Sequence, residues 1–174
     1  MKSKTDILFE RRSIRKYQEN KPVSDEKLKH ILEAAMCAPS ARNYQPWHFI
    51  ITHTRQTIDT LAEVHPYGKM LKAATMAILI CGDSDLEKTE SYILQDCAAA
   101  TQNLLLAAHG VGLGGVWLGV HPREERMDAM KKVFDLPENI IPVALISLGY
   151  PAEEKPRNDN YNQERVHIDK WNEK

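Results

Sequence analysis

The chain has little cysteine, little glycine and no long apolar run: among 174 residues there are three Cys and eight Gly. Cys37, Cys81 and Cys97 are odd in number, widely spaced and without a CxxC pair. That pattern excludes a disulfide framework and a cysteine-based zinc site, and it fits reduced, buried structural thiols. The most apolar stretches are interrupted well short of the roughly 18 residues that a membrane helix needs. MKSKTDILFERR, at the start, has no apolar run of signal-peptide length. Neither sign of charge dominates. Lys and Arg number 23 against 24 Asp and Glu, a formal charge of −1, which excludes the broad basic surplus of a nucleic-acid binder. These absences predict a soluble, cytoplasmic protein with no membrane or nucleic-acid partner. With no internal repeat, low-complexity tract or linker, residues 1–174 are expected to form a single domain, long enough to bury roughly 70% of the surface it exposes when unfolded.

Against that neutral background, charge is concentrated locally. RRSIRKY, residues 11–17, packs Arg11, Arg12, Arg15 and Lys16 into six positions. Like charges this close repel one another, so they either splay into solvent or face an anion. A second basic pair, Lys155 and Arg157, flanks Pro156. A phosphate monoester carries about −1.5 to −2 charges and oxygens suited to guanidinium forks, so the two clusters are candidates to meet on one phosphate. The phosphate loop GxxxxGK[ST] is absent, and GVGLGG follows a helical pattern where a dinucleotide fingerprint follows a strand.

Periodicity organises the rest. SDEKLKHILEAAMCAP, from Ser24, sets Leu28, Ile31, Leu32, Ala35 and Met36 at helical spacing behind a serine cap, with Pro39 as its stop. WHFIIT (47–52) and MAILIC (76–81) read as strands with a helix between them, PREERMDAMKKVFDL as a helix and IIPVALISLGY as a strand. Such alternation of β and α predicts, on its own, a parallel, doubly wound sheet. SYILQDCAAATQNLLLAAHG is apolar nearly all round until Gly110, which predicts a central helix covered by the sheet on one face and by a partner subunit on another. In GVGLGGVWLGV five of the eight glycines fall within ten residues, so the backbone there must come close to something. Residues 150–174 are polar, with apolar anchors at Val166, Ile168 and Trp171, and read as an extended arm. APSARNYQPWHF (38–49) carries Ser40, Asn43 and Gln45 between a helix and a strand, polar residues that serve a turn as readily as a ligand, and His48 beside Trp47 reads as a packed histidine.

Taken in order, ERRSIRKY, APSARNYQPWHF, GKML (68–71), GLGGVWLG, LGYPAEEKPR and the RVHIDKW tail resemble the nitroreductase family of FMN-dependent oxidoreductases, in its short single-domain form. The resemblance implies an α+β fold, a mixed, mostly antiparallel sheet surrounded by helices, with the C-terminal arm wrapping the partner subunit of a homodimer. It replaces the parallel sheet as the expected topology. It also implies a flavin site shared between two chains. Arg11, Arg12, Ser13 and Arg15 match the flavin-binding motif, with Arg11 on the phosphate and Arg15 toward the polar edge of the isoalloxazine. Lys69 matches a lysine near N1 and the C2 carbonyl. Pro39, Ser40, Ala41, Asn43 and Gln45 match the loop that the other subunit contributes, and Gly114 and Gly115 match backbone running along N5 and the C4 carbonyl. Lys155 and Arg157 match the closing phosphate pair, which leaves Lys16 solvated. The implied reaction carries a hydride from NADH or NADPH through flavin N5 to a small electron-poor acceptor, a nitroaromatic or a quinone, in ping-pong order, with no catalytic side chain and no metal. The same scaffold also serves enoate reduction, dehalogenation and flavin breakdown, and a flavin carrier without turnover is the non-enzymatic alternative.

Overall fold

A computed structural model describes residues 3–171. Four strands form one sheet: β1 (Trp47–Thr52), β2 (Met76–Asp83), β3 (Gly114–Gly119) and β4 (Ile140–Gly149). Their order is β1-β2-β4-β3, and every neighbouring pair is antiparallel. The parallel sheet that alternation alone suggests is therefore not formed. Among the described residues five α-helices surround the sheet: α1 (Asp6–Glu10), α2 (Asp25–Met36), α3 (Arg55–Val64), α4 (Glu90–Gly110) and α5 (Glu124–Phe134). Among the described residues no helix is long and apolar enough to cross a membrane.

The side-chain alternation of a strand sorts the core into two layers. Ile78 and Ile80 of β2, with Ile146 and Leu148 of β4, join Ile31 and Ala35 of α2 and Ile93, Cys97 and Leu104 of α4. Ala77, Leu79 and Cys81, with Leu145, Val116 and Leu118, join Ile58 and Leu61 of α3 and Met130 of α5. Both faces of β2 and β4 are thus covered, which is why MAILIC is apolar without a break and PVALISL is interrupted only by the buried Ser147. Ser24 caps α2 as expected, its hydroxyl accepting from the Lys27 N–H at 3.4 Å. Pro142 has no N–H to give the ladder, and it sits where the β2–β4 register slips between Ile80 and Cys81.

The basic segment docks on the β3 edge. Ser13 makes a parallel bridge with Gly115, and Tyr17 an antiparallel one with Pro151, so the sheet is mixed at this edge. The Ile14 N–H donates to the Gly115 carbonyl (3.0 Å), Gln18 to Tyr150 (2.8 Å) and Ala152 to Lys16 (2.9 Å). Tyr17 is buried, with its hydroxyl 2.8 Å from the Ile14 carbonyl and 3.1 Å from that of Ser147. The close approach foretold by the glycine cluster is this one: a Cβ on Gly114 would lie 2.8–2.9 Å from the Ile14 side chain. The arm is pinned early, where the Asn158 N–H donates to the Phe9 carbonyl at 3.0 Å. Further on it leaves Tyr161, Ile168 and Trp171 exposed.

Two glycine substitutions separate this contact from a general need for flexibility in β3. Gly114→Ala is expected to destabilise the protein by about 1–3 kcal/mol, the usual range for overpacking. Gly119→Ala, whose Cβ would meet nothing nearer than Arg126 Nη1 at 4.0 Å, should leave stability nearly unchanged. Urea unfolding of both variants checks the difference, and equal losses would remove the crowding account.

Candidate functional site

The bridge at Ser13 puts successive residues of the basic segment over two cavities. Arg15 lines one of about 550 Å³ together with His65, Tyr67, Lys69, Trp117 and Gly119. Arg12 and Ile14 line a second of about 420 Å³, with Leu113, Glu153, Lys155 and Arg157. The two basic clusters, 142 residues apart at Ser13 and Lys155, therefore meet as expected. Lys155 Nζ donates to the Ser13 carbonyl at 2.5 Å, and Arg12 donates to the carbonyl of Pro156. The Arg157 guanidinium lies 4.3 Å over the Phe9 ring, with Nη1 3.4 Å from Asp6 Oδ1. Lys16 is exposed.

One carboxylate threads the cluster. Glu153 Oε1 accepts from the backbone N–H of Arg15 (2.6 Å) and of Lys16 (3.2 Å), and lies 3.4 Å from Lys155 Nζ. The Arg15 N–H, with help from Lys155, holds its carboxyl below the usual range. Arg11 has no such companion. It lines neither cavity and is half-buried, and its Nε is buried without a hydrogen-bond partner among the described residues. Burial first, and the neighbouring Arg12 charge second, lower its pKa. A buried N–H left unpaired costs on the order of 1–3 kcal/mol, a cost that an anion among these cations would remove. The residues present therefore fit a phosphate.

The larger cavity is braced by groups that periodicity did not single out. His65, which caps α3 and is 2% exposed, donates from Nε2 to the Gly119 carbonyl (3.1 Å) and accepts at Nδ1 from the Tyr67 N–H (3.2 Å). That arrangement suits the neutral ring, and burial lowers the His65 pKa accordingly. Arg126 Nη1 donates to the same carbonyl at 2.8 Å and its guanidinium lies 5.3 Å from the Tyr67 ring.

Gly114 and Gly115 line neither cavity. A Cβ on Gly115 would meet the Ser147 carbonyl at 3.1 Å and Leu105 and Leu148 at 3.3 Å, so this glycine serves the core. The part of β3 that reaches the larger cavity is Trp117, Leu118 and Gly119. Pro39, Ser40, Ala41, Asn43 and Gln45 also stand apart from both cavities. Their loop leads into β1, at the opposite sheet edge from the segment docked on β3. Four strand spacings of about 4.8 Å put the two roughly 19 Å apart. The loop is strained: Arg42 (φ 53°), Asn43 (φ 58°) and Gln45 (φ 50°) are left-handed without being glycine, at a cost on the order of 1 kcal/mol each.

A sheet edge that gathers five cations beside an apolar, aromatic-walled cavity can hold a planar ligand by an attached phosphate. The nitroreductase family model matches residues 8–66 and 63–150, and the chain belongs to the nitroreductase family. It is 49% identical over 172 residues to a Methanothermobacter thermautotrophicus protein provisionally named NADH dehydrogenase/NAD(P)H nitroreductase, an alignment covering 97% of this chain and 90% of the relative. A solved structure from Parabacteroides distasonis, under the same provisional name, superposes with a TM-score of 0.93 at 39% identity, covering 98% of this chain and 100% of that one. A provisionally assigned nitroreductase from Desulfovibrio desulfuricans, solved in complex with FMN, gives 0.84 at 31% identity and covers 98% and 99%.

Glu153 carries a pH dependence of definite sign. Its folded pKa lies below the unfolded value of about 4.3, so its stabilising contribution is present above that value and is lost as the pH falls through the lowered one. Glu153→Gln is expected to flatten the decline of stability as the pH falls below about 4.3. Thermal unfolding across that range checks it, and parallel curves for variant and parent would show that Glu153 does not hold the segment.

Proposed function

We propose that this chain is an FMN-dependent oxidoreductase that passes a hydride from NADH or NADPH to a small electron-poor acceptor, a nitroaromatic or quinone, in ping-pong order. The observation that carries the reading is the meeting of Arg12, Lys155 and Arg157 around one cavity, with the buried Nε of Arg11, next in the chain to Arg12, lacking a hydrogen-bond partner among the described residues. Family membership supports it, as do the FMN in the Desulfovibrio structure and the NAD(P)H in the name of the Methanothermobacter relative.

In this reading Arg11 and Arg157 bind the phosphate in charge-assisted hydrogen bonds, and Arg12 and Lys155 complete its neutralisation. Ser13 sits between them, its carbonyl orienting Lys155. Trp117, Leu118 and Met70 give the ring an apolar wall, while Arg15 and Lys69 place positive charge at its polar edge, which favours a ring that gains electrons. Bound FMN supplies the hydride chemistry, so no side chain need act as nucleophile or base. His65 and Arg126 fix the Gly119 carbonyl, so the β3 wall keeps one position. Gly114 makes room for the docked segment and Gly115 for the core, and in this reading their backbone runs along N5 and the C4 carbonyl.

The site is completed by a second copy of the chain. Residues 39–45 lie at the far sheet edge from the cations of their own chain, and their strained backbone is of a kind that gathers at functional sites. A symmetric homodimer brings this loop to the other chain's cluster. Exposed apolar groups support such a partner: Phe9 and Leu8 on α1 and Ile168 and Trp171 on the arm need cover, and the arm wraps the partner to provide it.

One anaerobic titration tests the function. Purified protein is expected to be yellow, to release FMN on denaturation, to lose its oxidised-flavin absorbance on adding NADH or NADPH, and to regain it with a quinone or nitroaromatic. A flavin that neither nicotinamide reduces would make the protein a carrier. FAD, or no flavin at all, would remove the phosphate-site reading itself.

A further inference from the structure

Asp96 is a carboxylate in an apolar place. It is 6% exposed and shares its side of α4 with buried Ile93 and Ala100. Burying a carboxylate is costly, and Asp is a poor residue for a helix interior. Both of its oxygens face one donor, the Ala41 N–H, at 3.0 and 3.2 Å. Such a bond to a charged acceptor is stronger than a neutral one, and what it ties down is the loop 39–45.

That loop behaves as one piece. Ser40 Oγ accepts from the Gln45 N–H at 3.0 Å and closes it on itself. A second tie runs through Arg42, whose Nη2 lies 3.8 Å from Oε2 of the buried Glu87 and whose guanidinium sits 5.2 Å from the Tyr44 ring and 5.7 Å from that of Tyr92. Three left-handed residues within four positions would relax without such ties. Held by them, the loop presents Asn43 and Gln45 outward as exposed polar side chains.

We propose that Asp96 is a positioning residue for cofactor binding in trans: it holds loop 39–45 in the shape that completes the partner subunit's flavin site, so losing it weakens FMN at the other chain's site and not at its own. The inference rests on the shared-site reading above. A residue that merely packs α4 would damage its own chain, and that difference is measurable.

Mixed dimers decide it, made by co-expressing two differently tagged chains and read by the FMN released on dilution, as free-flavin fluorescence. The reference dimer joins an Arg11→Ala, Arg157→Ala chain to a Ser40→Trp, Asn43→Ala chain. Under shared sites one of its sites collects both lesions and the other none, so it keeps one FMN at parental affinity. The test dimer replaces the loop-lesioned chain with an Asp96→Leu chain and is expected to keep one tight FMN as well. The Asp96→Leu homodimer should bind FMN at least tenfold more weakly at both sites, with Asp96→Asn, which retains one acceptor oxygen, falling between. If Asp96→Leu fails to fold, Asp96→Asn takes its place throughout, with an expected weakening of two- to fivefold. A test dimer without tight FMN, when the reference dimer has it, assigns Asp96 to its own chain and overturns the proposal. So does parental affinity in the Asp96 homodimers. A reference dimer without tight FMN overturns the shared-site reading first, and the proposal with it.

Discussion

Five cations brought to one corner of a neutral protein repel one another, and the rest of this structure depends on how that repulsion is resisted. Arg11, Arg12 and Arg15 come from one end of the chain, Lys155 and Arg157 from the other. What holds them is largely uncharged. Backbone hydrogen bonds stitch residues 14–18 to β3 and to residues 150–152, and Tyr17 is driven into the core beneath them. A single carboxylate, Glu153, grips the Arg15 and Lys16 amides and Lys155 together. Among the described residues the guanidinium of Arg11 keeps one N–H without a partner.

The same clamp explains why β3 is rich in glycine. Gly114 must have no side chain if Ile14 is to sit against it, and Gly115 must have none if Leu105 and Leu148 are to close the core behind it. The antiparallel sheet then acts as a ruler. It fixes the cations at the β3 edge and the strained loop 39–45 at the β1 edge, a separation no side chain spans. α4, 21 residues and about 31 Å long, crosses between them, with Asp96 under the loop and Leu105 under Gly115. One helix therefore reaches from the loop 39–45 to the edge where the cations dock.

Much of this was legible in the sequence, for physical reasons that also mark where legibility ended. The α2 pattern behind Ser24, the strands WHFIIT and MAILIC, and the long apolar α4 announce themselves because their burial is periodic or continuous. Strand direction was not readable from them, since cover on both faces makes a run apolar whether its neighbours are parallel or antiparallel. β3 was hidden because its glycines, needed for close approach, erase the side-chain pattern of a strand. The meeting of RRSIRK with Lys155 and Arg157 followed from charge alone, whereas His65 and Arg126, which act through one carbonyl, and Asp96, which acts through one amide, leave no periodic trace. Loop 39–45 was flagged by composition, but its left-handed residues are Arg, Asn and Gln, so its strain appears only in the backbone angles.

The central claim is that the cation cluster binds a phosphate. The most direct test compares the affinity of the apoprotein for FMN and for riboflavin, which share the ring and differ in the phosphate alone. Two lost charge-assisted hydrogen bonds of about 1.5–3 kcal/mol each predict a preference for FMN on the order of a hundredfold or more. Equal affinity for the two flavins would contradict the account, because the ring would then be held without the cluster that the fold is built to maintain.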